Sequence, residues 1–171
     1  FLSNFWRWAY SDTLSNTLRG DFAEYLVACD LGLSEEVAEP WTEYDLKMKE
    51  GHRVEVKSSS YLQSWFQERY SVINFDIAKK KAWDYTKGKH TEIQKRHADV
   101  YVFCLLDHKD KSTVDPLNLE QWKFFILKTS ILDQKLGDQK KLGLKNLLNL
   151  NPEQVRFGEM KETILMLMDN A

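Results

Sequence analysis

Along residues 98–106, Ala-Asp-Val-Tyr-Val-Phe-Cys-Leu-Leu, apolar positions run almost without a break, the pattern of a strand buried on both faces. Trp122–Leu127 repeats the pattern, and Asp115-Pro116 marks a turn between the two. Residues 53–57 read differently. There Val54 and Val56 alternate with Glu55 and Lys57, which predicts a strand with one aliphatic and one charged face. Pro40 and Trp41 lead into a partner strand near 42–48. Leu18, Phe22, Tyr25, Leu26 and Cys29 recur at helical spacing, predicting an amphipathic helix over about 13–31 that ends near Gly32. Residues 71–75 suggest an extended segment, and 76–85 a short helix. The leucine-rich last 40 residues suggest one or two helices around Asn151-Pro152. The pattern predicts one α/β domain: a mixed central sheet with strands near 42–48, 53–58, 98–106 and 122–127, flanked by helices. A length of 171 residues with 43% hydrophobic content is enough for one real core.

The connection between the two strands around residue 50 decides where their charges fall. A three-residue loop Lys49-Glu50-Gly51, with Gly51 left-handed, pairs Met48 with His52, Leu46 with Val54 and Asp45 with Glu55. Asp45, Glu55 and Lys57 then share one face, and Tyr44, Leu46, Val54 and Val56 the other. A two-residue loop would put Asp45 among the valines, which is physically worse. Opposed carboxylates repel across a strand pair, and a divalent cation with a preference for hard oxygen ligands, such as Mg²⁺, relieves that repulsion. With an ammonium beside it, such a site polarises a phosphoryl oxygen and steadies developing negative charge. A soluble, solvated hairpin face is the competing reading.

Charge narrows the partners. A net charge of −2 speaks against a protein whose whole surface grips nucleic acid, but not against one basic face. Between residues 76 and 97, Lys79, Lys80, Lys81, Lys87, Lys89, Lys95 and Arg96 stand against Asp76, Asp84 and Glu92, a local excess of +4. With Gly88 among them, they suggest a flexible basic loop that tracks phosphates or is simply solvated. The hydroxyl-rich Ser58-Ser59-Ser60-Tyr61 after Lys57 suits phosphate contact equally. No apolar run reaches membrane-spanning length. Cys29 and Cys104 sit in apolar contexts and read as free buried thiols, which suits a reducing, cytoplasmic setting. The four histidines show no metal-ligand spacing. The aromatic residues 1–12 read as a segment packed on the core or on another subunit.

The set Asp45, Glu55, Val56, Lys57 resembles the motif of the PD-(D/E)XK nuclease superfamily, whose fold is the restriction-endonuclease-like mixed sheet. Gly20-Asp21-Phe22-Ala23-Glu24 is similar to the helical Gly-x-x-x-Glu that often accompanies it. Tyr44 stands where the name-giving proline would be. Within the superfamily, residues 55–65 look like an uncharacterised bacterial group. The resemblance covers a core of about 14–130, and leaves a C-terminal helical extension of about 131–171 unmatched. It implies an endonuclease using Mg²⁺, with Mn²⁺ as a substitute. Asp45, Glu55 and the Val56 backbone carbonyl would be metal ligands. Lys57 and Glu24 would be further catalytic residues, although Glu24 lies off the helix's apolar stripe and reads equally as a surface residue. Ser58, Ser59, Gln63, Lys79, Lys80 and Lys81 would contact nucleic acid, DNA in the first instance, with a homodimer as an open assembly. The alternative is a catalytically silent nuclease fold serving as a DNA-binding or protein-interaction module.

Overall fold

A computed structural model of the chain describes residues 1–35, 42–84 and 88–169; Pro40, Trp41 and Lys87 lie outside them. The elements are α1 (Leu2–Ala9), α2 (Asn16–Asp30), β1 (Leu46–Lys47), β2 (Arg53–Ser60), β3 (Asn74–Asp76), β4 (Lys80–Asp84), β5 (Lys89–Lys95), β6 (Val100–Leu106), β7 (Trp122–Lys128), α3 (Thr129–Leu136), β8 (Lys141–Gly143), α4 (Leu144–Asn149), β9 (Glu153–Val155) and α5 (Met160–Asp169). A five-stranded sheet runs β1-β2-β6-β7-β9, with β2 and β6 parallel and the other neighbours antiparallel. The mixed α/β class read from the sequence is the one observed.

The near-continuous apolar runs become central strands because both of their faces are covered. On one face Val100, Val102, Cys104, Leu106, Trp122, Phe124 and Ile126 pack with Ala23, Leu26 and Val27 of α2 and with Met160 and Ile164 of α5. On the other, Tyr101, Phe103, Leu105, Phe125 and Leu127 pack with Ile73, Phe75, Leu132, Leu142 and Leu147. β2 belongs to both layers: Val54 and Val56 enter the first core, while Glu55 is turned to the second face.

Several expectations need correction. The strand near 42–48 shrinks to Leu46–Lys47, although the expected pairing of Leu46 with Val54 holds. The loop also closes as expected, with Gly51 at φ +98° and Met48 N donating to His52 O. Val54 O, however, accepts from Asp45 N at 3.1 Å, so Asp45 and Leu46 both face Val54. That two-to-one count is a bulge, and it flips the alternation upstream. Tyr44 therefore packs against the second core rather than with the valines.

Of the expected helix over 76–85, Tyr85 lies outside the described residues, and 76–84 are not helical. Lys80–Asp84 pairs with Lys89–Lys95 as an antiparallel ribbon turned near Gly88 (φ +59°). Cross-strand pairing and burial of Ala82 override the weak helix preference of Lys and Ala. The inward stripe of α2 is Arg19, Ala23, Leu26, Val27 and Ala28, with Tyr25 exposed; small residues let the helix sit close to β2. The C-terminal stretch carries strands as well as helices, β8 pairing with β3 and β9 with β7. Phe1, Leu2, Phe5, Trp6, Trp8 and Tyr10 are exposed, and α1 contributes no buried residue to the core. No helix among the described residues is long and apolar enough to cross a membrane.

The start of the parallel pair is clamped by an ion pair. Arg53 Nη2 donates to Asp99 Oδ1 at 2.6 Å, Arg53 Nε to Oδ2 at 3.0 Å, and Arg53 N to Oδ2 at 2.9 Å. These bonds hold the Asp99 carboxyl below its ordinary range. A depressed carboxylate stabilises the fold above its unfolded value of roughly 3.9, and that contribution is lost as pH falls through the folded value. Asp99→Ala should therefore cost about 1 kcal/mol in urea unfolding at neutral pH, given partial exposure of the pair. The gap between variant and wild type should close from about pH 4 downward.

Candidate active site at the open edge of β2

Backbone direction decides what the edge of β2 offers. Arg53 O accepts from Asp99 N, so odd-numbered β2 residues turn their peptide groups to β6. Val54 O accepts from Asp45 N, so even-numbered ones turn theirs to β1. The β1 ladder stops at Leu46, opposite Val54. Beyond it, Asp45 supplies a side chain in place of a strand: its Oδ2 accepts from Val56 N at 2.6 Å. Asp45 thus lies at the sheet edge instead of standing across from Glu55 as on a regular hairpin face. The Val56 carbonyl points along the same edge.

Glu55 is 3% exposed. Its Oε1 accepts from Lys57 Nζ at 2.6 Å and from Lys80 Nζ at 2.9 Å. Lys57 comes from the next outward step on β2, Lys80 from the first residue of β4. Burial works against the Lys80 charge, but the Glu55 carboxylate outweighs it and holds the ammonium above its ordinary value. His97 Nε2 donates to Lys80 O at 2.9 Å. Buried Arg96 ties the same region down, donating to Ile77 O, Gly137 O, Gln139 O and Asp133 Oδ1.

Glu24, on α2, belongs to this group of charges. Burial first, then the charge of Asp45, pushes its carboxyl up to about 7, with Asp21 and Glu55 adding and Lys57 opposing. The Asp45 carboxyl is also raised, by burial and then by Glu55, against the opposing effects of Lys57 and the Val56 N–H. Burial and the Glu55 charge likewise raise the Tyr101 phenol. Negative charge is crowded here beyond what the two lysines relieve.

The remaining sequence-predicted contacts separate into two groups. Lys79 pairs with Asp138 at 2.8 Å and Arg96 is buried, so neither is a free phosphate ligand. Lys80 serves Glu55, while Lys81, Lys89 and Lys95 are exposed on the ribbon. Ser58, Ser59 and Gln63 line a cavity of about 390 Å³ together with Arg19, which no motif singled out. Lys80 is expected from the sequence only as a nucleic-acid contact; its pairing with Glu55 is not visible there, because it reaches Glu55 from 25 positions away. Cys29 and Cys104 are free.

The donor set suits a hard divalent cation. Among the described residues no three His, Cys, Asp or Glu side chains gather tightly enough to hold a metal by themselves. Mg²⁺ is commonly bound by one or two carboxylates, keeping waters and substrate phosphate for the rest. Asp45 and Glu55, with the Val56 carbonyl beside them, match that description, and the raised Asp45 and Glu24 carboxyls are groups whose charged forms a cation would favour. Asp45→Asn should move the Glu24 titration, followed by carboxyl ¹³C NMR, down from about 7 toward the ordinary carboxylate range. An unmoved midpoint would remove the Asp45 charge from the causes.

The family model described as bacteriophage T4 endonuclease IV matches residues 8–142 of the chain. That interval contains Glu24, Asp45, Glu55, Lys57 and Lys80. No curated protein matches the chain.

Proposed function

Since this chain belongs to the bacteriophage T4 endonuclease IV family, we propose that it is a metal-dependent endonuclease that hydrolyses phosphodiester bonds in DNA through a PD-(D/E)XK-type site. The observation that carries this reading is the meeting of Asp45, Glu55, Lys57 and Glu24 at one open strand edge within the matched interval. Asp45, Glu55 and the Val56 carbonyl would hold Mg²⁺ or Mn²⁺. Such an ion supplies Lewis acidity toward a phosphoryl oxygen and lowers the pKa of water.

The protein groups do the rest. Glu55 holds the Lys57 ammonium in place at 2.6 Å, so its charge is set before substrate arrives. A fixed cation in a partly desolvated site favours the charge that develops on the phosphoryl oxygens over that of the ground state. Glu24, whose charged form a bound cation would favour, would be the group that takes a proton from an attacking water. Asp45 spans two jobs, because the carboxylate that faces the site also closes the Val56 N–H. The exposed Lys81, Lys89 and Lys95 of the ribbon would draw the phosphate backbone toward that edge. A catalytically silent module fits less well, since a binding surface gains nothing from buried, mutually repelling carboxylates.

With labelled DNA and either metal, Asp45→Asn and Glu55→Gln should abolish cleavage. Lys57→Ala should lower kcat by on the order of a hundred- to a thousandfold while metal binding persists. Lys57→Arg should not restore it fully, because a planar guanidinium does not replace a compact ammonium. Wild type that cleaves nothing, or a Lys57→Ala protein that cleaves normally, would overturn the assignment. Replacing Lys81, Lys89 and Lys95 together with Ala should weaken DNA binding and lower the slope of log affinity against log salt by roughly 0.9 per lost contact. An unchanged slope would make the ribbon a solvated surface.

A further inference from the structure

Arg19 is 4% exposed, and each of its hydrogen-bond partners among the described residues is neutral. Nη1 donates to Leu14 O at 3.1 Å and to Gln63 Oε1 at 3.3 Å, and Nη2 donates to Asn16 Oδ1 at 2.7 Å. Its Nε–H is buried with no partner among the described residues. Burial lowers its pKa, and no carboxylate among the described residues opposes that effect. A buried cation without a counter-charge is costly, and proteins keep such groups paired or hydrogen-bonded to an anion.

The surroundings describe the anion. Arg19 lines the cavity of about 390 Å³ with Ser58, Ser59, Ser60, Gln63 and Ser71, and no acidic residue is among the lining groups. Hydroxyl and amide donors around one guanidinium match the tetrahedral oxygens of a phosphate. Lys111 Nζ donates to Gln63 O, adding positive charge at the loop that closes the cavity. The cavity lies further along the strand that carries the candidate active site, since Ser58, Ser59 and Ser60 follow Lys57 on β2.

We propose that this cavity binds a backbone phosphate of the nucleic acid adjacent to the scissile one, with Arg19 as its counter-charge. The inference rests on the nuclease reading for the identity of the ligand, but not for the presence of an anion site. Arg19 binds and positions substrate, and the bond-breaking groups lie elsewhere.

The test uses ¹⁵N-labelled wild type without divalent metal. Inorganic phosphate should shift the Arg19 Nε–H resonance saturably, together with the Ser58 and Gln63 amides, whereas sodium chloride at equal ionic strength should not. A short oligodeoxynucleotide should shift the same resonances and displace phosphate, while one with uncharged methylphosphonate linkages should do neither. Arg19→Met should weaken phosphate binding at least about tenfold, the worth of one charge-assisted contact, while Arg19→Lys retains part of it. Lys57→Ala should leave it unchanged. If Arg19→Met does not fold, the wild-type titrations decide alone. The proposal is overturned if phosphate leaves Arg19 unmoved, if Arg19→Met binds as well as wild type, or if the oligonucleotide fails to compete. Oligonucleotide binding here without cleavage under any metal would sink the nuclease reading and leave this site standing.

Discussion

A carboxylate buried on a central strand cannot keep its charge without cations close by, and Glu55 takes two. Much of the arrangement around β2 answers to that requirement. Lys57 is available because strand alternation returns to the same face after two residues. Lys80 must be brought from elsewhere, so the β4–β5 ribbon has to fold back over the second face. Arg96 and His97 fasten the ribbon's base to the rest of the molecule. The ribbon is therefore part of the site's electrostatics as well as a basic surface.

The second constraint is where β1 stops. A longer first strand would have satisfied the Val56 N–H with another peptide group and closed the edge. The bulge at Asp45 and Leu46 ends the ladder early and substitutes a carboxylate for a backbone carbonyl. This converts a structural hydrogen bond into a charged one at the point where Glu24 approaches from α2. One extra residue turns a sheet edge into a place where charge is concentrated.

The central strands were legible because continuous apolar runs and charged alternation are local signals, and Gly51 fixed the hairpin loop. The pairing of Leu46 with Val54 followed from them. Tyr44 was misplaced because a bulge leaves no mark in the hydrophobic pattern. The ribbon was misread as a helix because Lys-Lys-Lys-Ala favours helix locally, while its strand form depends on pairing with residues 89–95. Arg19 went unnoticed for a related reason: its importance lies in the absence of a counter-charge, which no sequence window displays. Glu24 was ambiguous because Tyr25, which is exposed, stood in the expected inward stripe of α2, whereas Arg19, Ala23 and Val27 turn inward.

β9 has a consequence for solubility during and after folding. Without it, Phe124–Ile126 of β7 would present a bare, strongly apolar strand edge, a template for pairing with another chain. β9 covers that edge with three residues, Glu153, Gln154 and Val155, directly after Pro152, a short border that another strand extends poorly. It is held in place from the far side, where Asp30 at the end of α2 accepts from the Gly158, Met160 and Lys161 amides at the start of α5. The family-matched interval ends at residue 142, before β9 and α5. The C-terminal chain thus finishes a sheet whose family-matched part would otherwise leave an apolar edge open to pairing with another chain.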